Sequence, residues 1–315
     1  MSANWKNDKR QNFNPDCILD SFKQSAKLRK DKFSLDIFSL EINIPILASM
    51  LEVSNGIPEI QKEIFLRSSL LNIKSLDGLN KDNVLRLVQE KERSYLQQVE
   101  KKYILVTTIS ILNNIEIPKF KIEKTYIAFS KSLPKKFLDP RNTILEKTSQ
   151  WLIEKDRDDN LFVQVTTLAR SDVEAAENCL KAIDFLRGIW NIKFNKSLSI
   201  IRNGGRKCLN TFTLGALHTL HHENGDLISD YYWYQPDFDK NQTPFNLRQR
   251  NYLDVIATST LNFRKKINKL KYKQLVINAI IQYSQALDYT DLNVSFIKLW
   301  SVLETLTNTL YDSYD

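Results

Sequence analysis

Few residues in this chain are of types that could do chemistry, and most of them lie in its second half. His218, His221 and His222 are its only histidines, and Cys208, Glu223 and Asp226 lie close to them. A metal ion would need three or four such donors converging at fixed geometry. If the strand-like stretch Asn210–Leu220 runs on to the histidines, His218 and His221 point to opposite faces and cannot converge. A strand end and turn is the simpler reading, and neither a metal nor another cofactor is expected. Arg202-Asn-Gly-Gly-Arg206-Lys207 pairs glycines with cations, and such a turn could cradle a phosphate on backbone donors. It lacks the spacing of a nucleotide loop, which leaves a surface hairpin as the alternative. Between Arg264 and Lys273, six of ten residues are basic (Arg264, Lys265, Lys266, Lys269, Lys271 and Lys273), with Tyr272 among them and no acid. That density can hold a nucleic-acid backbone by releasing its counterions; the alternative is a solvated helix face. Glu304, four residues after Trp300, projects beside an apolar stripe rather than opposite it. No Gly-x-Ser-x-Gly elbow, His-Glu-x-x-His pair or Walker-type lysine is present.

Composition limits what can position these groups. With 315 residues, 42% hydrophobic and 26% charged, the chain has material for two domains or three small ones, and wholesale disorder is excluded. Seven glycines are few for this length and disfavour glycine-rich phosphate loops. The net charge of +8 suits a polyanionic partner such as RNA, DNA or an acidic protein, or else reflects a lysine-rich genome. Cys17, Cys179 and Cys208 are scattered, with no Cys-x-x-Cys pair, as in reduced cytosolic proteins. The N-terminus carries charge with no apolar segment behind it, so no signal peptide is expected. The apolar run Tyr103–Leu112 spans ten residues, where a membrane helix needs about 20. A soluble, cytoplasmic protein with no membrane partner is the expectation.

Periodicity divides the chain into three regions and predicts an α+β fold. Residues 1–102 read as mostly helical, with Lys81–Lys102 the clearest helix. Residues 103–245 read as an α+β domain with a mainly antiparallel sheet. Its strands are expected at Tyr103–Leu112, Phe120–Phe129, Leu161–Leu168, Asn210–Leu220 and Tyr231–Tyr234. Ser171-Asp-Val-Glu174 is a capping-box pattern opening a helix to about Asn191, with Val173, Ala176, Leu180, Ile183 and Trp190 at helical spacing. From 246 the helical period returns. Leu253, Ile256, Thr260, Phe263, Ile267 and Leu270 continue through Ile277, Ile281 and Ser284, as one long helix or two nearly collinear ones. After Asp288-Tyr-Thr-Asp291 a final helix packs back, with Phe296, Leu299, Trp300, Leu303, Leu306 and Leu310 forming its apolar stripe.

The wording of that last helix, Phe296-Ile-Lys-Leu-Trp-Ser-Val-Leu-Glu-Thr-Leu306, resembles the start of an Apea-like HEPN domain. This helical-bundle family includes many RNases of bacterial defence. A second echo lies upstream: Val163-Gln-Val-Thr-Thr-Leu-Ala-Arg-Ser-Asp-Val-Glu-Ala-Ala-Glu177, continuing to Leu186-Arg-Gly-Ile-Trp-Asn191. It looks like the strand-then-helix block that precedes the helical domain in such proteins. The resemblance implies a C-terminal incomplete HEPN-like bundle, often a homodimer through its helices, and metal-independent endoribonuclease chemistry at an Arg-x(4–6)-His motif. There the arginine stabilises phosphate charge and the histidine moves a proton at the ribose hydroxyl. Glu304 would match the acidic residue on an earlier helix.

The chain departs from the family pattern in one respect. No arginine precedes a histidine by five to seven positions; the nearest, Arg206, lies twelve before His218. Two expectations follow. In the first, this is the sensor or regulatory part, with the first effector helices, of an anti-phage or abortive-infection HEPN ribonuclease. A phage-derived or cellular protein would trigger it, and the catalytic motif would follow residue 315. In the second, it is a non-catalytic module that binds nucleic acid or a protein ligand through the basic band and terminal helices. An Arg-x(4–6)-His downstream in the gene favours the first.

Overall fold

Asn14, Asp36 and Asn80 each stand in extended backbone just before a helix, and each side chain accepts an amide of the first turn. They open three of the helices of the first unit in the computed structural model. The structure describes residues 2–6, 14–29, 32–149, 159–194, 208–228, 233–234, 244–247 and 252–311. Two compact units divide the chain, Met1–Lys101 and Lys102–Asp315. The first holds β1 (Asn4–Trp5), α1 (Pro15–Ser25), β2 (Lys27–Arg29), β3 (Lys32–Ser34), α2 (Ile37–Ser49), β4 (Leu51–Glu52), α3 (Glu59–Leu71) and α4 (Lys81–Leu96). Its core gathers Leu19, Phe22, Ile44, Leu47, Leu66 and Val88. One carboxylate is buried with them. Glu92 accepts from the amides of Ala3 at 2.6 Å and Ser54 at 2.7 Å, which satisfies its charge and ties β1 and the segment after β4 to α4. The clearest expected helix thus stops at Leu96, and Lys101 already begins a strand.

The second unit is built on a sheet of order β10-β9-β5-β8-β7-β6. Its strands are β5 (Lys101–Leu112), β6 (Phe120–Ile122), β7 (Thr125–Ser130), β8 (Asn160–Ala169), β9 (Leu217–His221) and β10 (Trp233–Tyr234). The pairs β10–β9, β5–β9, β6–β7 and β7–β8 are antiparallel. The fold is α+β, as composition and periodicity predict. Phe120–Phe129 is a hairpin rather than one strand. Glu123 takes φ 50° and turns the chain between Ile122 and Thr125. Without glycine or asparagine at that turn, sequence gives no warning of it. In Asn210–Leu220 the ladder forms only from Leu217, after a single bridge at Leu214. The earlier amides serve elsewhere: Asn210 donates to Leu287 O, Thr211 to Asn191 Oδ1 and Thr213 to Ser110 Oγ.

Helices cover both faces of β5. On the outer face α5 (Lys135–Ser149) places Phe137 against Ile104 and Val106. On the inner face α6 (Asp172–Phe194) packs Cys179, Ile183 and Trp190 on Leu105, Val163 and Val165. Ser171 Oγ accepts the Glu174 amide at 3.1 Å, and the Glu174 carboxylate reaches back to the Arg170 amide at 2.6 Å, so the capping pattern closes its turn. Behind α6 lie α7 (Tyr252–Ile267) and α8 (Lys273–Asp288), and α9 (Leu292–Tyr311) packs back on α8. Trp190 Nε1 donates to Thr260 Oγ1 on α7 at 3.1 Å. A Cβ at Gly188 would meet Ile280 O at 2.7 Å, so α8 comes as close to α6 as a glycine permits. Ile256, Ile267, Ile280 and Ile281 belong to the same core as the sheet. The helices after 246 therefore find their partner in α6.

Candidate nucleic-acid interface

The six cations expected along one helix face instead surround a corner. Arg264, Lys265 and Lys266 form the last turn of α7, Lys269 and Lys271 lie in the connection, and Lys273 opens α8. Like charges three and four residues apart destabilise a continuous helix, and this one stops where they accumulate. It ends by tightening: Lys269 N donates to Lys266 O and Leu270 N to Ile267 O, both three residues back. Ile267 is buried and anchors the corner, whereas Leu270 of the expected register and Tyr272 of the basic run are about half exposed, at 47% and 49%. Lys271 Nζ lies 5.5 Å from the centre of the Tyr272 ring.

No carboxylate among the described residues pairs with any of the six. The first three complement the negative end of α7. Lys273 opposes the positive end of α8, whose first turn has no acid to offset it. Positive charge is therefore concentrated at the corner, with the Tyr272 ring beside Lys271.

Glu304 stands beside the apolar stripe, as its spacing from Trp300 predicts. It accepts from Trp300 Nε1 at 2.8 Å on the exposed face of α9, and the structure brings neither an arginine nor a histidine to it among its described contacts. The stripe beside it is open. Phe296 is 66% exposed and Trp300 and Leu303 are each 55%, while Ser295 and Val302 are buried. Ser295 Oγ donates to Ala286 O at 2.7 Å, so small residues set the α8–α9 contact and turn the large ones outward. The side chain of Leu310 and the turn Arg202–Lys207 lie outside the described residues.

The histidines separate as strand alternation requires. His218 Nδ1 lies 2.7 Å from Thr107 Oγ1, on the face opposite His221. His222 stacks on Tyr103 with ring centres 6.2 Å apart. His221 is held in a directed chain under α5. Arg141 Nη1 donates to Thr219 Oγ1, Thr219 donates in turn to His221 Nε2 at 2.8 Å, and His221 Nδ1–H donates to Gly225 O at 2.9 Å. Gly225 sits at φ 104°, where a Cβ would meet Lys136 O at 2.4 Å, so the turn closes against α5 only with glycine.

Burial, with Arg141 as a lesser cause, holds the His221 pKa below the ordinary imidazole value against the pull of the Gly225 carbonyl. The folded state therefore takes up this proton later than the unfolded chain. Its contribution to stability is complete above about pH 6.5 and is lost as pH falls from there through the depressed folded value. Denaturant titrations at stepped pH should show that loss, and His221→Gln should shrink it. An identical acid slope in both proteins would contradict this placement.

A cluster that the sequence reading missed lies between α6, α8 and the segment after Cys208. Arg187, 2% exposed, grips Asp288 with both Nη atoms at 2.9 Å and also donates to Asp184 and to Phe212 O. Asn210 Nδ2 donates to Asp288 Oδ1 at 2.7 Å, and Gln285 Nε2 donates to Asp184 Oδ2 at 2.8 Å. Burial opposes the guanidinium's charge, but Asp288 and Asp184 outweigh it and raise the Arg187 pKa above its usual value. The available signal was a pair of opposite charges three apart, Asp184 and Arg187, inside the apolar stripe that runs to Trp190.

No described helix is long and apolar enough to cross a membrane. No protein-family model, curated protein or solved structure matches the chain significantly.

Proposed function

We propose that this chain is the RNA-binding, regulatory part of a defence-type HEPN ribonuclease, with the α7–α8 corner as its contact to the RNA backbone. The observation that carries the RNA contact is the set of six cations that no carboxylate among the described residues pairs with, wrapped around a tip that also presents Tyr272. A cluster of such cations attracts a polyanion and gains from the counterions it sheds. The resemblance of the α9 wording to Apea-like HEPN domains supplies the rest: bacterial defence, a phage-derived or cellular protein trigger, and metal-independent endonuclease chemistry. In that reading the open apolar face of α9 joins a second copy, as HEPN helices do, and Glu304 lies beside that joint.

One observation favours a second reading, a non-catalytic interaction module. His221 is tied into a buried chain and Glu304 into a bond with Trp300, so neither is paired with the other or with an arginine as a reacting group among the described contacts. The first reading, and the second in its nucleic-acid form, require the corner to touch RNA. Ultraviolet crosslinking of the protein to single-stranded RNA, followed by peptide mapping, tests this directly. Adducts are expected on peptides containing Arg264–Lys273. Adducts confined to other peptides, with this one recovered unmodified, would overturn the proposal.

A further inference from the structure

A separate site of different composition lies on the other side of the sheet. Strand alternation turns Ile127, Val163 and Val165 toward α6 and leaves their neighbours on the outer face. Beyond the part of that face covered by α5, Lys121, Tyr126 and Thr166 form one row across β6, β7 and β8, each the register partner of the next. Tyr126 is 51% exposed. Next to this row is a depression of about 430 Å³ lined by Lys102, Lys124, Tyr126, Thr166, Thr167 and Leu168.

Each part of this arrangement has a counterpart in a nucleotide. The tyrosine ring and the exposed Leu168 side chain give an aromatic base a flat apolar seat. Lys121 Nζ lies over one face of the ring, 5.1 Å from its centre, so a base would take the other face or displace the ammonium toward its own phosphate. Lys102 and Lys124 also line the depression and offer cations to a phosphate attached to a seated base. Lys102 is paired with Glu223 at 2.6 Å, but that pair is exposed, and exposed pairs hold their partners weakly. The Thr166 hydroxyl is placed to meet a base edge or a ribose. An enclosed apolar ligand would not use the lysines, and a bare anion would not use the ring. The volume is of the order that holds a single small ligand.

We propose that the open outer face of β6, β7 and β8 is a nucleotide site, with a base stacked on Tyr126 and its phosphate met by Lys102, Lys121 and Lys124. The nucleotide is either one unit of a single-stranded RNA or a free mononucleotide. The site shares no residue with the α7–α8 corner and does not rest on the function proposed for it.

The test uses the full chain with a short fluorescein-labelled oligouridylate, with uridine and adenosine monophosphates as competitors. Tyr126→Ala is expected to weaken oligonucleotide binding on the order of tenfold, and Tyr126→Phe to retain it, because stacking needs the ring and not the hydroxyl. The side chain is half exposed, so neither change should disturb folding; circular dichroism and the urea midpoint check this. If only the oligonucleotide responds to Tyr126→Ala, the site belongs to a strand. If millimolar mononucleotide competes, and Tyr126→Ala abolishes the competition, it takes the free nucleotide. Oligonucleotide binding and mononucleotide competition both unchanged in Tyr126→Ala would overturn the site. The corner proposal would stand if neutralising Arg264–Lys273 still weakened binding, so the two can fail separately.

Discussion

Arg187→Met is expected to lower the stability of the second unit by about 3–5 kcal/mol, the usual cost of removing one partner from a buried ion pair. Methionine fills most of the volume of the arginine stem, so the loss would not come from a cavity. It would come from Asp288 and Asp184, both buried and then without the cation that neutralises them. Phe212 O would lose a donor as well. Arg187→Lys keeps the charge but cannot reach Asp288 with two parallel donors, so it should fall between wild type and methionine. Urea unfolding followed by Trp fluorescence reads the effect directly, since Trp190 lies on the same helix in the core. A loss below about 1 kcal/mol for Arg187→Met would show that the network is not what holds α8 and the segment after Cys208 against α6.

Local rules made the α+β class legible, along with the capped start of α6, the strand content of 101–112 and 160–169 and the return of helices after 246. A serine three residues before a glutamate and a run of β-branched residues act over one turn or one strand, and nothing distant overrides them here. Other features depended on partners remote in sequence. Gly188 looks like a weak point in a helix until Ile280 is seen against it. Leu270 fits the register of α7 by spacing, but six like charges end the helix around it and leave it exposed.

The stripe of α9 shows the same limit most clearly. Phe296, Trp300 and Leu303 have the spacing of a buried face, yet Ser295 and Val302, one position away around the helix, are the residues that meet α8. Spacing defines a face but not which of two adjacent faces is covered. The basic band was visible as composition alone. Its shape, a corner and not a helix side, follows from where α7 stops, and that in turn depends on Ile267 docking in the core. Arg187 and its two carboxylates escape hydropathy patterning, which treats charges in a core stripe as surface.

Substituting glutamine for all six corner cations is the second change expected to have a large effect. Each phosphate contact on a single strand contributes about 0.7 to the slope of log affinity against log salt concentration. Six lost contacts would flatten that slope by as much as about 4 and weaken binding by orders of magnitude at low salt. Fold stability should barely change, because four of the six side chains are exposed, Arg264 and Lys273 are only partly buried, and none of the six is ion-paired among the described residues. A stability loss comparable to that of Arg187→Met would point instead to a structural role for the corner.

The most direct measurement is therefore the affinity of single-stranded RNA for wild-type and corner-neutralised protein across a salt series from about 50 to 200 mM, the range in which counterion release is steep. Wild type is predicted to bind tightly at low salt and to lose affinity steeply, and the neutralised protein to bind weakly with a shallow line. Superimposable lines, with both proteins folded, would contradict the assignment of the α7–α8 corner as an RNA contact.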